Sequence, residues 1–197
     1  QNDVGSYSPC PPEKSVCVST DTCSTCRAGF QLDVSSHFVT DVPYSGHSYS
    51  SIDFGTVGTS DGRGRLDSSG AWKSDREDMN PWMKLDLGSV KYVVGVATKG
   101  GGRGDWVTTY NVATSVDDVT WVDLGTFTGN SDDETLKQNL FDNFQFARYV
   151  RISPLTTFED DTVEMRAGVI EGTWDCIENI NECVLGSHNC LPSASCV

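Results

Sequence analysis

Three groups of residues in this 197-residue chain have types and spacings that could do chemistry. The first is the cysteines. Cys10, Cys17, Cys23 and Cys26 stand at one end, Cys176, Cys183, Cys190 and Cys196 at the other, and none lies between. Cys23-Ser24-Thr25-Cys26 is a C-x-x-C, which could take zinc. Zinc wants a second such pair at matching spacing, or histidines nearby, and neither is present. Short cysteine-dense segments beside a cysteine-free stretch instead fit disulfide-stapled modules of a secreted protein. An extracellular location is expected.

The second group is a polar loop running through His47, Tyr49, Asp53, Phe54, Asp61, Arg63 and Arg65. A planar guanidinium can grip sugar hydroxyls or carboxylates, and an aromatic face can stack on a sugar ring. The third is Arg103-Gly104-Asp105, the tripeptide that integrins recognise, placed after Gly100-Gly101-Gly102. Tripeptides also recur by chance. Catalytic patterns are missing. There is no Gly-x-Ser-x-Gly elbow and no phosphate-cradling glycine loop followed by Lys-Ser/Thr. His37, His47 and His188 lack an adjacent nucleophile and carboxylate pattern, and Glu159-Asp160-Asp161 reads as a solvated loop. No enzymatic activity is expected.

Charge narrows the partners further. A formal net charge of −14 repels nucleic acid phosphates and anionic lipid surfaces, and no basic run offsets it. No apolar stretch is long enough to span a bilayer, and Gln1 opens no leader pattern. Either a leader has been removed or the chain is a piece of something longer.

These residues need a scaffold, and its clearest element is a short alternating run. In residues 82–87, Met83, Leu85 and Leu87 fall on one side and Trp82, Lys84 and Asp86 on the other. Period two with one apolar side predicts a half-buried strand, bounded by Pro81 and by Gly88-Ser89. Residues 90–97 come at once as a second strand, so the pair reads as adjacent antiparallel strands. Trp106, Tyr110 and Val112 share a parity, as do Val150 with Ile152, and Met165 with Ala167 and Val169. Spaced short strands with no long helical period predict an all-β sandwich or barrel over residues 35–172.

Gly70-Ala71-Trp72, a polar spacer, then Trp82-Met83-Lys84-Leu85-Asp86-Leu87-Gly88 resembles the core signature of discoidin domains, the coagulation factor V/VIII C-type family. Gly102-Arg103-Gly104-Asp105-Trp106-Val107-Thr108-Thr109-Tyr110 with Ser115-Val116-Asp117-Asp118-Val119-Thr120-Trp121 looks like the family's middle block. Ala147-Arg148-Tyr149-Val150-Arg151-Ile152-Ser153-Pro154 and Met165-Arg166-Ala167-Gly168-Val169-Ile170-Glu171-Gly172 match its closing pair.

The resemblance implies a discoidin-type jellyroll β-sandwich with binding loops at one end and no catalysis. Its ligands would be glycans, collagen-like or other proteins, or phosphatidylserine membranes. It makes Asp53, Arg63 and Arg65 the ligand-binding candidates; the alternative is that Arg63 and Arg65 pair with Asp61 or Asp67 on the surface. It also favours a structural role for Arg103 and Asp105, holding their loop through charged hydrogen bonds. Membrane insertion is disfavoured, because Tyr49 and Phe54 lack the basic flanks of membrane-binding relatives.

The ends resemble epidermal-growth-factor-like (EGF-like) modules. Gly5-Ser6-Tyr7-Ser8-Pro9-Cys10 and Ser15-Val16-Cys17-Val18 parallel Gly186-Ser187-His188-Asn189-Cys190 and Ala194-Ser195-Cys196-Val197. That parallel divides the chain. Residues 1–34 carry the second to fifth cysteines of one module, 35–172 the discoidin-like domain inserted within it, 173–178 its end, and 179–197 half of a calcium-binding module. The resemblance implies bonds Cys10–Cys23, Cys26–Cys176 and Cys183–Cys196; it leaves Cys17 free, paired to another chain, or without its family partner because of where this sequence begins, and Cys190 needing a partner beyond Val197. Asn179-Ile180-Asn181-Glu182-Cys183 fits the calcium pattern of that family, with Asn179, Ile180 and Glu182 supplying oxygens.

Three functions are consistent with these features. The first is a non-catalytic extracellular adhesion or matrix protein, part of a longer tandem array or filament that associates with itself. The second is a secreted glycan-binding lectin. The third is the targeting module of a larger secreted enzyme.

Overall fold

A computed structural model describes residues 15–16, 25–26, 30–158 and 163–178, with side chains over 36–158 and 163–172. The chain divides into two compact units, one of residues 37–172 and one of residues 1–36 with 173–197. In the smaller unit β1 (Ser15–Val16) pairs antiparallel with β2 (Thr25–Cys26), Ser15 opposite Cys26. The cysteines expected to form bonds (Cys10, Cys23, Cys183, Cys196 and the side chains of Cys26 and Cys176) lie outside the described residues, as do Asn179, Ile180 and Glu182.

The remaining strands are β3 (Phe30–Thr40), β4 (His47–Tyr49), β5 (Trp72–Lys73), β6 (Met83–Lys99), β7 (Val107–Ser115), β8 (Val122–Thr128), β9 (Lys137–Thr157) and β10 (Glu164–Glu178). They hydrogen-bond in the order β3-β10-β6-β9-β7-β8, with β4 added to β6 and β5 to β10. A short 3-10 turn, Tyr44–Gly46, precedes β4. Among the described residues there is no α-helix, and no helix long and apolar enough to cross a membrane. The all-β expectation holds.

The alternation read in residues 82–87 also holds. Met83 and Leu85 are fully buried, while Trp82, Lys84 and Asp86 are half-buried on the outer face. Residues 90–97 depart from expectation. They do not return as a second antiparallel strand; they continue β6. Gly88 bends the chain at φ +77 with its N–H donated to Asp86 Oδ1 at 2.8 Å. One left-handed residue kinks a strand, whereas a hairpin needs a full turn. The partner β9 tracks the kink, pairing Asp86 with Tyr149 before it and Lys91 with Ala147 after it.

Because β6 and β9 are long and bent, Met83 and Leu85 from one half of β6 meet Val93 and Val96 from the other in a single core. Trp72, Tyr110, Val112, Val150, Ile152, Met165, Ala167 and Val169 complete it. Burying each large aliphatic here contributes about 1.5–3 kcal/mol. The Trp106 parity fails for a local reason. The β7–β9 register slips between Val107 and Tyr110, which sends Val107 into the core and leaves Trp106 half-buried against Phe158, ring centroids 3.9 Å apart.

Candidate functional site

The polar loop after β4 is not free. Asp53 N–H donates to the Lys73 carbonyl at 3.0 Å, and Lys73 N–H donates to the Asp61 carbonyl at 2.8 Å. Asp61 N–H closes back on the Phe54 carbonyl at 3.0 Å, and Arg63 N–H reaches the Ala71 carbonyl at 3.2 Å. The loop therefore lies along β5 as if it were an added strand. The Ser68 hydroxyl fixes the next turn, within 2.6 Å of the Arg63 carbonyl and 2.9 Å of that of Arg65.

Beneath the loop sits a buried polar chain. The Tyr49 ring stacks on Trp72 at 5.2 Å between centroids, 11° from parallel, while Trp72 Nε1–H donates to the Ser51 carbonyl at 2.8 Å. His47 Nε2–H donates to the Val42 carbonyl at 3.0 Å, leaving Nδ1 as the acceptor facing the Tyr49 hydroxyl at 3.1 Å. That hydroxyl accepts the Gly64 N–H at 3.0 Å. Burial holds the His47 imidazole neutral, its pKa lowered to about 4, and pushes the Tyr49 phenol upward. His47 and Tyr49 thus support the loop from below.

A second loop, residues 100–105, comes alongside. Arg166 on β10 holds it, although only 5% of this arginine is exposed. Its Nε–H donates to the Gly100 carbonyl at 2.8 Å, and its other nitrogens reach the Ser68 carbonyl at 3.3 Å and the Asp133 carbonyl at 2.7 Å. One side chain ties three rim segments together. The Arg103-Gly104-Asp105 turn closes differently from expectation. Gly101 N–H donates to the Asp105 carbonyl at 2.7 Å, and the Asp133 carboxylate accepts the Gly104 N–H at 2.8 Å. Backbone and Asp133 hold the turn, and the Arg103 side chain is left for another surface.

That surface is a cleft of about 400 Å³ lined by Phe54, Asp61, Arg63, Lys73, Arg103 and Glu164, with small residues between them. Lys73 is answered from within, by Glu164 at 3.2 Å and Asp53 at 3.9 Å. Gly101 permits this packing, since a Cβ there would stand 2.3 Å from Glu164 Oε2. Among the described residues neither Arg63 nor Arg103 forms an ion pair. Phe54 is 71% exposed at the lip. The cleft thus offers two forked donors, the Asp61 carboxylate and an aromatic face. The hydroxyl-bearing Ser60 and Ser69 complete its polar lining.

The three ligand-binding candidates part company here. Arg63 lines the cleft. Asp53 touches it through Lys73. Arg65 does not line it; its guanidinium pairs with Asp41 at 3.0 Å and Asp67 at 2.9 Å and lies over the Tyr44 ring at 5.4 Å. The surface-pairing alternative therefore describes Arg65 and not Arg63. Sequence reasoning missed Lys73, Arg103 and Glu164. Lys73 and Glu164 face each other through the β5–β10 register, a pairing between residues far apart in the chain. Among the described residues no cluster of three or more His, Cys, Asp or Glu side chains could hold a metal ion.

Residues 45–169 match the model of the F5/8 type C domain. Rat (Rattus norvegicus) lactadherin is 39% identical over 105 residues, which cover 47% of this chain and 25% of lactadherin's length. Recombinant discoidin II of Dictyostelium discoideum superposes with a TM-score of 0.52 at 24% identity, covering 64% of this chain and 54% of that one. The family 32 CBM from C. perfringens NanJ, solved in complex with galactose, gives a TM-score of 0.55 at 15% identity, covering 68% of this chain and 100% of the module. At these identities the two solved structures speak for the fold alone.

Proposed function

This chain belongs to the F5/8 type C domain family, and from that premise we propose that it is a non-catalytic extracellular adhesion or matrix protein whose rim cleft binds a glycan. One observation carries the reading. Phe54, Arg63 and Arg103, brought from two separate loops, converge on a single cleft of about 400 Å³ whose other polar groups are oriented by the fold. Ligand sites commonly pair an aromatic face with a few fixed polar groups in this way. The C. perfringens module that shares this fold was solved in complex with galactose; for this chain the sugar reading rests on the cleft's own residues.

In this reading the 37–172 unit supplies recognition and the flanking cysteine-rich segments supply linkage, with EGF-like modules in a longer tandem array that associates with itself. Asn179, Ile180 and Glu182 hold Ca²⁺ there, and the ion stiffens the joint between modules. Support for these segments is the sequence pattern. Non-reducing peptide mapping is the check: a Cys26–Cys176 bond is expected, and a Cys17–Cys26 bond would overturn the inserted-module arrangement.

A glycan array probed with the chain tests the cleft. Discrete saccharide binding that is lost in Arg63→Ala and kept in Arg76→Ala is expected. Absence of saccharide binding, or binding indifferent to Arg63, would overturn the proposal.

A further inference from the structure

We propose that the cleft selects a sugar bearing a carboxylate, a uronic or sialic acid residue of an extracellular glycan, over its neutral counterpart. This rests on the cleft being the glycan site. Its basis is a pair of guanidinium groups without ion-pair partners among the described residues, in a strongly acidic chain. The chain carries a formal net charge of −14, yet three cations, Arg63, Lys73 and Arg103, line the cleft against two carboxylates, Asp61 and Glu164. Lys73 is already matched by Glu164 and Asp53. Arg63 and Arg103 are not matched by any described carboxylate, although Arg65, two residues along the same loop, is paired twice.

Both arginines are placed by the backbone. Arg63 lies across Gly70, where a Cβ would stand 3.2 Å from its Cδ. Arg103 is carried between two glycines in the left-handed region, Gly102 at φ +77 and Gly104 at φ +97. Guanidinium forks bind a carboxylate through two parallel hydrogen bonds, which gives direction as well as charge. Asp61, whose side chain has no ion-pair partner among the described residues, accepts hydrogen bonds from ring hydroxyls, and Phe54 covers one ring face. The complement of two donor forks, one acceptor and one aromatic face is a hydroxylated ring with a single anionic group. An extended anionic surface such as a lipid bilayer fits worse, because it would meet the chain's own negative field beyond the cleft.

The test compares sugars that differ by one carboxylate, 3′-sialyllactose with lactose and galacturonate with galactose, titrated calorimetrically into the full chain. The acidic member is expected to bind about tenfold more tightly, the value of one charge-assisted bidentate contact. In Arg63→Gln and Arg103→Gln the acidic-to-neutral ratio falls toward one, with melting temperatures unchanged, while Arg76→Gln, outside the cleft, keeps the wild-type ratio. Equal affinity for both members would overturn the selectivity and leave the glycan cleft standing. Acidic preference that persists in both Gln variants would overturn it by placing the anion elsewhere. Binding to neither sugar, with or without binding to phosphatidylserine vesicles, would overturn the glycan cleft as well.

Discussion

The Lys73 ammonium lies 3.2 Å from the Glu164 carboxylate, whose side chain is only 6% exposed. The cation at the cleft floor is therefore consumed by the fold, and recognition falls to Arg63 and Arg103. Glu164→Gln leaves it only the longer contact to Asp53 at 3.9 Å. Breaking a largely buried pair costs stability, here about 1–3 kcal/mol because Lys73 can still reach water. The ammonium, then answered by Asp53 alone, strengthens binding of an acidic sugar. Urea denaturation and calorimetry on the same variant measure both effects, and a variant with weaker acidic-sugar binding and unchanged stability would contradict this role.

Arg166 is the structural keystone of the rim. Arg166→Met keeps an unbranched apolar stem and removes the donors from the Gly100, Ser68 and Asp133 carbonyls. Leaving these acceptors unsatisfied is expected to cost about 2–4 kcal/mol, with faster amide exchange at Gly101 and Gly104. Arg166→Lys recovers part of this, since one ammonium cannot span three directions. A loss below about 1 kcal/mol for the Met variant would show that the loops stand without the clamp.

The buried His47 makes stability depend on pH. Its folded pKa is about 4 against the ordinary 6.5, so the unfolded chain binds the extra proton between those values. Its contribution is complete above about pH 6.5 and is lost as pH falls toward 4. Between pH 7.5 and 4.5, His47→Gln should show a decline in unfolding free energy smaller by about 2–3 kcal/mol than the wild type. Equal slopes in chemical denaturation would contradict the buried neutral imidazole.

Much of the fold was legible because its elements obey a local rule. Met83 and Leu85 announce their strand by alternation, and Val150, Ile152, Met165, Ala167 and Val169 do the same for the closing pair. Misreadings arose where one residue changed the rule. Gly88 kinks β6 without ending it, and the register slip beyond Val107 exchanges the core side of β7. For the cleft, Arg63 was visible as a guanidinium in a rim loop. Arg103 was obscured by the tripeptide around it, and Lys73 with Glu164 by a pairing that only the folded register creates.

The most direct measurement is a two-dimensional amide NMR titration of isotope-labelled protein with the saccharide that binds best. Shifts are expected to gather at Phe54, Asp61, Arg63, Gly70, Gly101 and Arg103, the backbone around the cleft. Residues of the depression formed by Val42, Gly46, Leu87 and Lys91 should remain still. Shifts centred on that second depression, with the cleft unmoved, would contradict the assignment of ligand binding to Arg63 and Arg103.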